Sequence, residues 1–509
     1  MKASLRRSRS QSVEMSRKPQ ITGAELVAET LRALRVQVVF GIVGIPVVEI
    51  AEALIACGIR FIAFRNEQSA SYAAQAYGYL TGRPGVCLVV GGPGVVHAMA
   101  GIVNAQVNCW PLLVIAGYIE SYQKERGGFQ ELDHISFLKP HTKFASQPPT
   151  VTHIPFMLEK AYRTAFYGRP GPAFIDLPAN FIKASLASST AILSSTKLSV
   201  PDCPKSMAST DMVSRVCALL RSAKSPLVVI GKGCAYARAE SHIRRFINEV
   251  QLPFLPTPMG KGVMPDSHPF NVASARSTAL AGADVVLLLG ARLNWMLHFG
   301  TKPKWRADVI FVQVDIAAEE LGNNANSSQL HLLGDIGLIT AQLRDVLSDW
   351  KYDSSRSQFI ETLRQNAERN VATARRLAAS DRIPMSYQRA LTEIKEGLIG
   401  LDVVYVSEGA NTMDIGRSIF DVQEPRRRLD AGTFATMGVG MGYAIAGISA
   451  YVVTPLSNVL AQLVYPNHKV VAVVGDSAFG FRYANVTTFV LMTSALWRSK
   501  LLFGQPCRY

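Results

Sequence analysis

A carboxylate at the end of an apolar strand is the strongest chemical signal in this sequence. Residues 470–481 read VVAVVGDSAFGF, so Asp476 follows a run rich in valine and a glycine. A parallel strand that ends in this way presents a carboxylate and free backbone N–H groups, which suits a magnesium-bound diphosphate. A capping aspartate in an ordinary strand-to-helix turn is the competing interpretation, and the motif alone leaves it open.

A second carboxylate, Glu67, lies in the segment FRNEQSASYAAQA, after a predicted strand and at the start of a predicted helix. Its small and apolar neighbours would allow a largely buried side chain that donates and accepts a proton. A glutamate in the first turn of a helix is also a common partner of the helix dipole. The isolated His97, His134 and His141 are interpreted as structural residues.

Two glycine-rich turns follow predicted strands, GGPG at 91–94 and GKGCAYA at 231–237. Either could cradle a phosphate, but neither contains the full GxGxxG pattern of dinucleotide-binding folds. A nicotinamide-dependent enzyme is therefore disfavoured.

The elements that must position these residues predict an α/β protein with parallel sheets. The 509-residue chain is 48% hydrophobic, and its short β-branched runs alternate with helical patterns. Three consecutive doubly wound domains are expected at 20–190, 208–350 and 384–481, with a Ser/Thr/Pro-rich linker near 185–207. The Arg- and Ser-rich residues 1–19 are predicted to be a disordered extension, with a transit peptide as the alternative. Predicted elements include a helix at 23–34, a helical connection at 354–379, and strands at 38–40, 61–63, 86–90, 112–116, 226–230, 285–289, 309–314 and 403–406.

The composition of the chain limits the kinds of binding partner that we expect. The formal charge is +15, but the positive residues are scattered and form no aromatic-interleaved stripe, so we expect no nucleic acid and favour a polyanionic small molecule. Seven cysteines without a CxxC pair are typical of a reduced intracellular protein. The apolar stretch 448–464 is interrupted by Pro455 and Asn458, so no membrane span is predicted.

Taken in order, these motifs resemble those of the thiamine-diphosphate-dependent enzymes. The similarity runs from about residue 20 to 481 through the NEQ helix, the GGPG loop, EGANTMDIG (408–416), GTFATMGVGMGYAIA (432–446) and GDSAFGF. It is strongest to the 2-hydroxyacyl-CoA lyases, with the oxalyl-CoA decarboxylases as near relatives. The segment GGFQELD (127–133) favours the lyases, because the decarboxylases tend to have a tyrosine where Phe129 stands. The resemblance implies a pyrimidine-binding domain, a central domain and a diphosphate-binding domain, in that order.

The resemblance also implies roles for individual residues. The activity would be cleavage of a 2-hydroxyacyl-CoA to formyl-CoA and a shortened aldehyde, with thiamine diphosphate and Mg²⁺ as cofactors. Glu67 would activate the aminopyrimidine ring, Met437 would wedge the cofactor into its bent shape, and Asp476 would bind Mg²⁺. Further cofactor contacts would come from Asn411, Thr436, Ser477 and Ala478, and substrate contacts from Phe129 and Gln130. Candidates for the ADP part of CoA are Arg169, Lys232, Arg292, Asp315 and Asp335, each of which could equally be a surface or turn residue.

The sequence departs from the family pattern after Phe481. The family places an asparagine metal ligand after the GD motif, and no residue of 482–509 fits it. We interpret 482–509 as an aberrant tail from a shifted frame or retained intron, and 447–462 as a similar insertion, with 448–464 an irregular loop. The third domain would then be incomplete and cofactor binding weak. An oxalyl-CoA decarboxylase-like enzyme and an inactive truncated paralogue are the alternatives.

Assembly and location follow from the resemblance alone. The family builds its active sites between subunits, which implies a homodimer or homotetramer. It also implies a peroxisomal location, although the final Cys-Arg-Tyr is no peroxisomal address, and the cytoplasm and mitochondrion stay open.

Overall fold

The computed structural model describes residues 20–187, 198–324, 330–452 and 468–480. Within these ranges the chain forms three parallel sheets packed with helices, which confirms the predicted α/β class. We refer to the parts that contain them as the first, second and third units.

The first unit opens with β1 (Gln20–Thr22), which pairs antiparallel with β8 (Ser185–Ala187). Its parallel strands are β2 (Val38–Gly41), β3 (Arg60–Ala63), β4 (Gly85–Val89), β5 (Leu112–Tyr118), β6 (Phe144–Ser146) and β7 (Pro172–Pro178). They lie in the order β3-β2-β4-β5-β7-β6. The helices are α1 (Gly23–Ala33), α2 (Val48–Ala56), α3 (Glu67–Thr81), α4 (Pro93–Asn108), α5 (His134–Leu138), α6 (Ile154–Phe166) and α7 (Ala179–Lys183). The central strands β4 and β5 are buried throughout, as expected for strands covered on both faces.

The second unit contains a five-stranded parallel sheet in the order β10-β9-β11-β12-β13. Its strands are β9 (Pro226–Ile230), β10 (Phe254–Pro256), β11 (Val285–Leu289), β12 (Ile310–Asp315) and β13 (Leu332–Leu333). The helices are α8 (Thr210–Ser222), α9 (Lys232–Tyr236), α10 (Glu240–Val250), α11 (Arg276–Gly282) and α12 (Ile336–Val346). The 21-residue helix α13 (Gln358–Ala378) then leads to the third unit.

The described part of the third unit has a three-stranded parallel sheet in the order β15-β14-β16. Its strands are β14 (Asp402–Glu408), β15 (Arg428–Asp430) and β16 (His468–Val474). The helices are α14 (Tyr387–Glu396), α15 (Ala410–Ile419), α16 (Gly440–Val452) and α17 (Asp476–Gly480).

Small residues let the first and third units pack closely. Gly442 of α16 lies directly over α3, because a Cβ there would come within 2.9 Å of the Ser69 carbonyl oxygen. Beside this contact, the buried Trp110 stacks on Tyr79 at 5.0 Å between ring centroids and tilts against Tyr443 at 5.4 Å. One apolar core therefore runs from the first unit into the third.

Two predictions about secondary structure were wrong. Ser185–Ala187 forms strand β8, where a linker was expected. It pairs with β1, which lies at the opposite end of the first unit's sequence. Residues 448–452 continue helix α16, where an irregular loop was expected. The predicted extension 1–19 and tail 482–509, and residues 453–464 of the predicted loop, lie outside the described residues. Among the residues that are described, no helix is long and apolar enough to cross a membrane.

Candidate active site

The carboxyl ends of β14 and β16 meet at one edge of the third sheet, since Glu408 lies opposite Val474 in the register. Each strand is followed directly by a glycine: Gly409, whose φ is 93°, and Gly475. A Cβ at Gly409 would come within 3.2 Å of the Gly475 nitrogen, so a side chain at Gly409 would be crowded as well as strained by its positive φ. Helices α15 and α17 begin directly after these glycines, and exposed Asn411 and Asp476 lie in their first turns.

This arrangement fits a diphosphate and its metal ion. Two helix N-termini with glycine before each leave backbone N–H groups accessible, and Asp476 supplies a carboxylate beside them. Ala478 is 2% exposed and packs inward, so it would contribute backbone only. Ser477 begins the same turn, but its side chain lies outside what is described. Among the described residues no cluster of three or more His, Cys, Asp or Glu side chains forms a metal site.

A buried carboxylate shapes the neighbouring loop. Glu408 is 1% exposed and accepts hydrogen bonds from the backbone N–H groups of Gly438 and Gly440, the latter at 2.6 Å. Gly438 directly follows Met437, and Gly440 is the first residue of α16. Met437 is 43% exposed, as a residue that supports a bound cofactor would be. Thr436, beside it, accepts a hydrogen bond from Asn104 Nδ2 at 3.0 Å.

Glu67 begins α3, but it is not the capping residue. Asn66 caps the helix, because its side-chain oxygen accepts a hydrogen bond from the Ser69 N–H. The Glu67 side chain is 13% exposed, and its Oε2 lies 3.2 Å from His97 Nδ1. His97, interpreted from sequence as an isolated structural residue, is thus the described partner of the candidate catalytic carboxylate.

The loop that carries Phe129 and Gln130 is held by a buried histidine, His134. His134 Nε2 accepts a hydrogen bond from the Gly92 N–H at 2.8 Å, and its Nδ1 lies 3.0 Å from Asp176 Oδ1. Both side chains are buried, and burial raises the pKa of Asp176 while the histidine opposes that rise. The contact joins the GGPG loop to the loop 127–133. Phe129 at its tip is 76% exposed, and Gln130 has a left-handed φ of 60°.

The five candidate residues for the ADP part of CoA come together in one cavity. It has a volume of about 470 Å³ and lies between the first and second units. The candidates that line it are Arg169, Lys232, Arg292, Asp315 and Asp335. Three cations and two carboxylates are the groups that phosphates and ribose hydroxyls require.

The cations of this cavity are held by neighbours in the structure. Arg169 pairs with Glu320 at 2.7 Å, and its Nε donates to Cys109 Sγ at 3.1 Å. Lys232 Nζ donates to Asn108 Oδ1 at 2.8 Å, and burial lowers the pKa of the lysine to about 7. An anion in the cavity would favour the protonated lysine.

The two carboxylates differ. Burial raises the pKa of Asp315, which ends β12 and accepts a hydrogen bond from the Ala317 N–H. Asp335 caps α12 through the Leu338 N–H and pairs with Lys205 at 3.2 Å. Asp335 therefore has the turn role that the sequence left open, although it also lines the cavity.

Comparison with known proteins identifies the family. Profiles of the thiamine pyrophosphate enzymes match in chain order: the N-terminal TPP binding domain at residues 21–137, the central domain at 213–343 and the C-terminal TPP binding domain at 408–493. The chain is 49% identical over 471 residues to 2-hydroxyacyl-CoA lyase 1 of Mus musculus, covering 92% of this chain and 78% of the relative. The chain belongs to the thiamine pyrophosphate enzymes.

Two other relatives show the same similarity over most of the chain. The chain is 48% identical to 2-hydroxyacyl-CoA lyase 1 of Homo sapiens over 92% of its own length and 79% of the relative. It is 38% identical to oxalyl-CoA decarboxylase of Escherichia coli K12 over 93% of its length and 81% of the relative. The predicted family and the thiamine diphosphate cofactor are thereby confirmed. The exact domain boundaries and the roles of single residues stay predictions.

Proposed function

We propose that this thiamine pyrophosphate enzyme cleaves 2-hydroxyacyl-CoA to formyl-CoA and an aldehyde one carbon shorter. The bond between C1 and C2 breaks, the hydroxyl proton leaves to give the aldehyde, and C1 takes up a proton to become the formyl group. The observation that carries the proposal is the cation-lined cavity, because the phosphates of an acyl-CoA require such cations. Its Arg292 also donates to Thr433 Oγ1 of the cofactor loop 432–438 at 3.4 Å. The similarity to proteins named 2-hydroxyacyl-CoA lyase supports the same substrate class.

Residues at three places would hold the cofactor, whose bound form supplies the electron sink for cleavage. Asp476 would hold Mg²⁺, with Asn411 and the backbone of Ser477 and Ala478 beside the diphosphate. Thr436 and Met437 would support the cofactor from the loop before α16. Glu67 would exchange a proton with the cofactor ring, which its low exposure favours because a partly buried carboxyl is shielded from bulk water.

The substrate would bind across the first and second units. Arg169, Lys232 and Arg292 would neutralise the phosphates, and Asp315 and Asp335 would accept hydrogen bonds from ribose hydroxyls. Phe129 and Gln130 would face the acyl part, since the His134 contact holds their loop against the GGPG turn.

Product analysis tests this proposal. The purified chain, with thiamine diphosphate and Mg²⁺, is incubated with a 2-hydroxyacyl-CoA, and formyl-CoA and aldehyde are both quantified. We expect equimolar products and at least a hundredfold loss in Glu67→Gln. Glu52→Gln, an exposed carboxylate on α2, is the matched control. Formation of neither product at saturating cofactor would contradict the proposal.

Oxalyl-CoA decarboxylation is the second candidate, favoured by the 38% identity to a protein of that name. It also yields formyl-CoA but releases carbon dioxide in place of an aldehyde. Phe129, where those enzymes tend to have tyrosine, weighs against it. Parallel assays with oxalyl-CoA separate the two reactions.

For assembly we propose a dimer or tetramer with active sites between subunits. Large apolar side chains on the loops around the candidate site are exposed in the single chain, as surfaces that associate commonly are. These are Ile45 (73%), Phe129 (76%), Phe434 (46%) and Met437 (43%).

For location we propose the peroxisome on the family resemblance, to be tested by imaging an N-terminally tagged chain.

A further inference from the structure

Two buried asparagines at the end of α4 join all three units. Asn108 Oδ1 accepts two hydrogen bonds, from Lys232 Nζ in the second unit at 2.8 Å and from the Thr433 N–H in the third at 2.9 Å. Asn108 Nδ2 then donates to Asn104 Oδ1 at 2.8 Å. Both asparagines are fully buried, so these contacts are made away from water.

The chain of hydrogen bonds continues into the cofactor loop. Asn104 Nδ2 donates to Thr436 Oγ1 at 3.0 Å, and Asn104 Oδ1 also accepts from the Tyr443 hydroxyl at 3.2 Å. The two asparagines therefore bind loop 432–438 by hydrogen bonds to Thr433 and Thr436, on either side of Phe434 and Ala435. Each amide nitrogen and oxygen has a partner, which is the condition under which a buried polar network stabilises one conformation.

The loop is fitted to this network. Gly432 has a φ of 67°, and a Cβ there would lie 2.4 Å from Asn108 Oδ1. Arg292 adds a contact from the nucleotide cavity, since its Nη2 donates to the Val107 carbonyl at 2.7 Å. Hydrogen bonds from the first unit thus hold the loop before Met437. After Met437, the Glu408 carboxylate holds the backbone by accepting from the N–H groups of Gly438 and Gly440.

We propose that Asn104 and Asn108 are positioning residues that hold loop 432–438 in the conformation that binds the cofactor. They act through Thr433 and Thr436 and need no contact with substrate. The inference rests on the proposed role of Met437 and Thr436 as cofactor-supporting residues. It adds a source of cofactor affinity in the first unit of the same chain.

Hydrogen exchange of the full chain without cofactor tests the loop directly. Asn108→Leu keeps the side-chain size but leaves the Thr433 N–H unpaired, and we expect amides of 432–438 to exchange about tenfold faster while those of β14 stay unchanged. Gln106→Leu, an exposed residue on the same helix, is the control and should leave the loop unchanged.

A second variant covers the case in which Asn108→Leu fails to fold. Thr436→Val removes the acceptor of Asn104 from a partly exposed position, and we expect the same local increase in exchange. Calorimetric titration with thiamine diphosphate and Mg²⁺ should give an affinity weakened about tenfold in Asn108→Leu and unchanged in Gln106→Leu.

The outcomes are separable. Unchanged exchange at 432–438 in both variants, or an unchanged dissociation constant in Asn108→Leu, would overturn the positioning role. A wild-type chain that binds the cofactor but cleaves no 2-hydroxyacyl-CoA would instead contradict the proposed reaction, and the exchange result would still decide the inference.

Discussion

The contact between Glu67 and His97 allows the proposed catalytic role of Glu67 to be tested without disturbing the fold. Replacing His97 with alanine removes this hydrogen-bonding partner, 3.2 Å away, and leaves Asn66 to cap the helix. We expect kcat to fall by about tenfold in His97→Ala, because the Glu67 side chain is no longer held in place, while the melting temperature stays within about 1 °C. A kcat equal to that of the wild type would show that the pair is a surface contact only.

Lys232 predicts how nucleotide binding depends on pH. Burial lowers its pKa to about 7, with Arg292 contributing repulsion, so the empty cavity holds a neutral lysine above that pH. A phosphate favours the protonated form, and binding above pH 7 must take up a proton. We therefore expect the dissociation constant of adenosine 3′,5′-bisphosphate to rise from pH 7 to pH 9, by at most about tenfold per pH unit.

The matched variant for this prediction is Lys232→Arg. A guanidinium stays charged across the whole range, so its affinity should be flat where that of the wild type falls. Calorimetry between pH 7 and 9 measures both, in a window where the phosphates are already ionised. Equal slopes for the two proteins would exclude Lys232 from the phosphate site.

Single residues also show what a sequence can and cannot predict. Asp476 and Glu67 could be predicted as candidates because each follows a strand in a local motif. The meeting of Arg169, Lys232 and Arg292 has no local signal, since Arg169 and Arg292 lie on separate loops, Lys232 begins α9, and only the tertiary fold brings them together. Glu408 had no predicted role of its own within EGANTMDIG, because nothing in the pattern distinguishes a buried acceptor of two N–H groups from an exposed turn residue.

Among the elements, β14 and α16 depend on each other through Glu408. Its carboxylate occupies the N-terminal end of α16 and accepts from Gly438 and Gly440, while the helix packs on α3. Glu408→Ala leaves two buried N–H groups unpaired. We expect it to lower the free energy of unfolding by about 2–4 kcal/mol in denaturant titration.

The comparison variant for β14 is Glu396→Ala, an exposed glutamate at the end of α14, which should change stability by less than about 0.5 kcal/mol. Glu408→Gln keeps the shape but brings an amide N–H toward a donor, so an intermediate loss is expected. If Glu408→Ala is as stable as Glu396→Ala, the carboxylate does not hold the helix.

The strands were predicted well where their signal is local. β9 and β11 match to the residue, because continuous apolar runs bounded by polar turns are typical of buried parallel strands. β8 was missed because its partner β1 is 165 residues away in the Ser185–Gln20 contact, a pairing that no window of sequence contains. Residues 448–452 were assigned to a loop on a supposed insertion, although alanine, isoleucine and serine continue an apolar helix without interruption.

For the whole molecule, the proposed placement of active sites between subunits predicts complementation. Glu67→Gln and Asp476→Asn should each be inactive alone. In a co-expressed mixture about half of the dimers are heterodimers, and each of those has one site with both wild-type residues. We therefore expect about a quarter of wild-type activity in the mixture at saturating cofactor.

A reciprocal mixture controls for partial activity of either variant. Wild-type chain co-expressed with the double variant Glu67→Gln/Asp476→Asn has heterodimers with no intact site if Glu67 and Asp476 come from different chains. Activity should then fall to about a quarter, whereas sites built within one chain would keep about half. The exposed Phe129, Phe434 and Met437 favour the first result, because a second copy would cover them. A mixture of the two single variants that stays inactive, together with half activity in the reciprocal mixture, would place each active site within one chain.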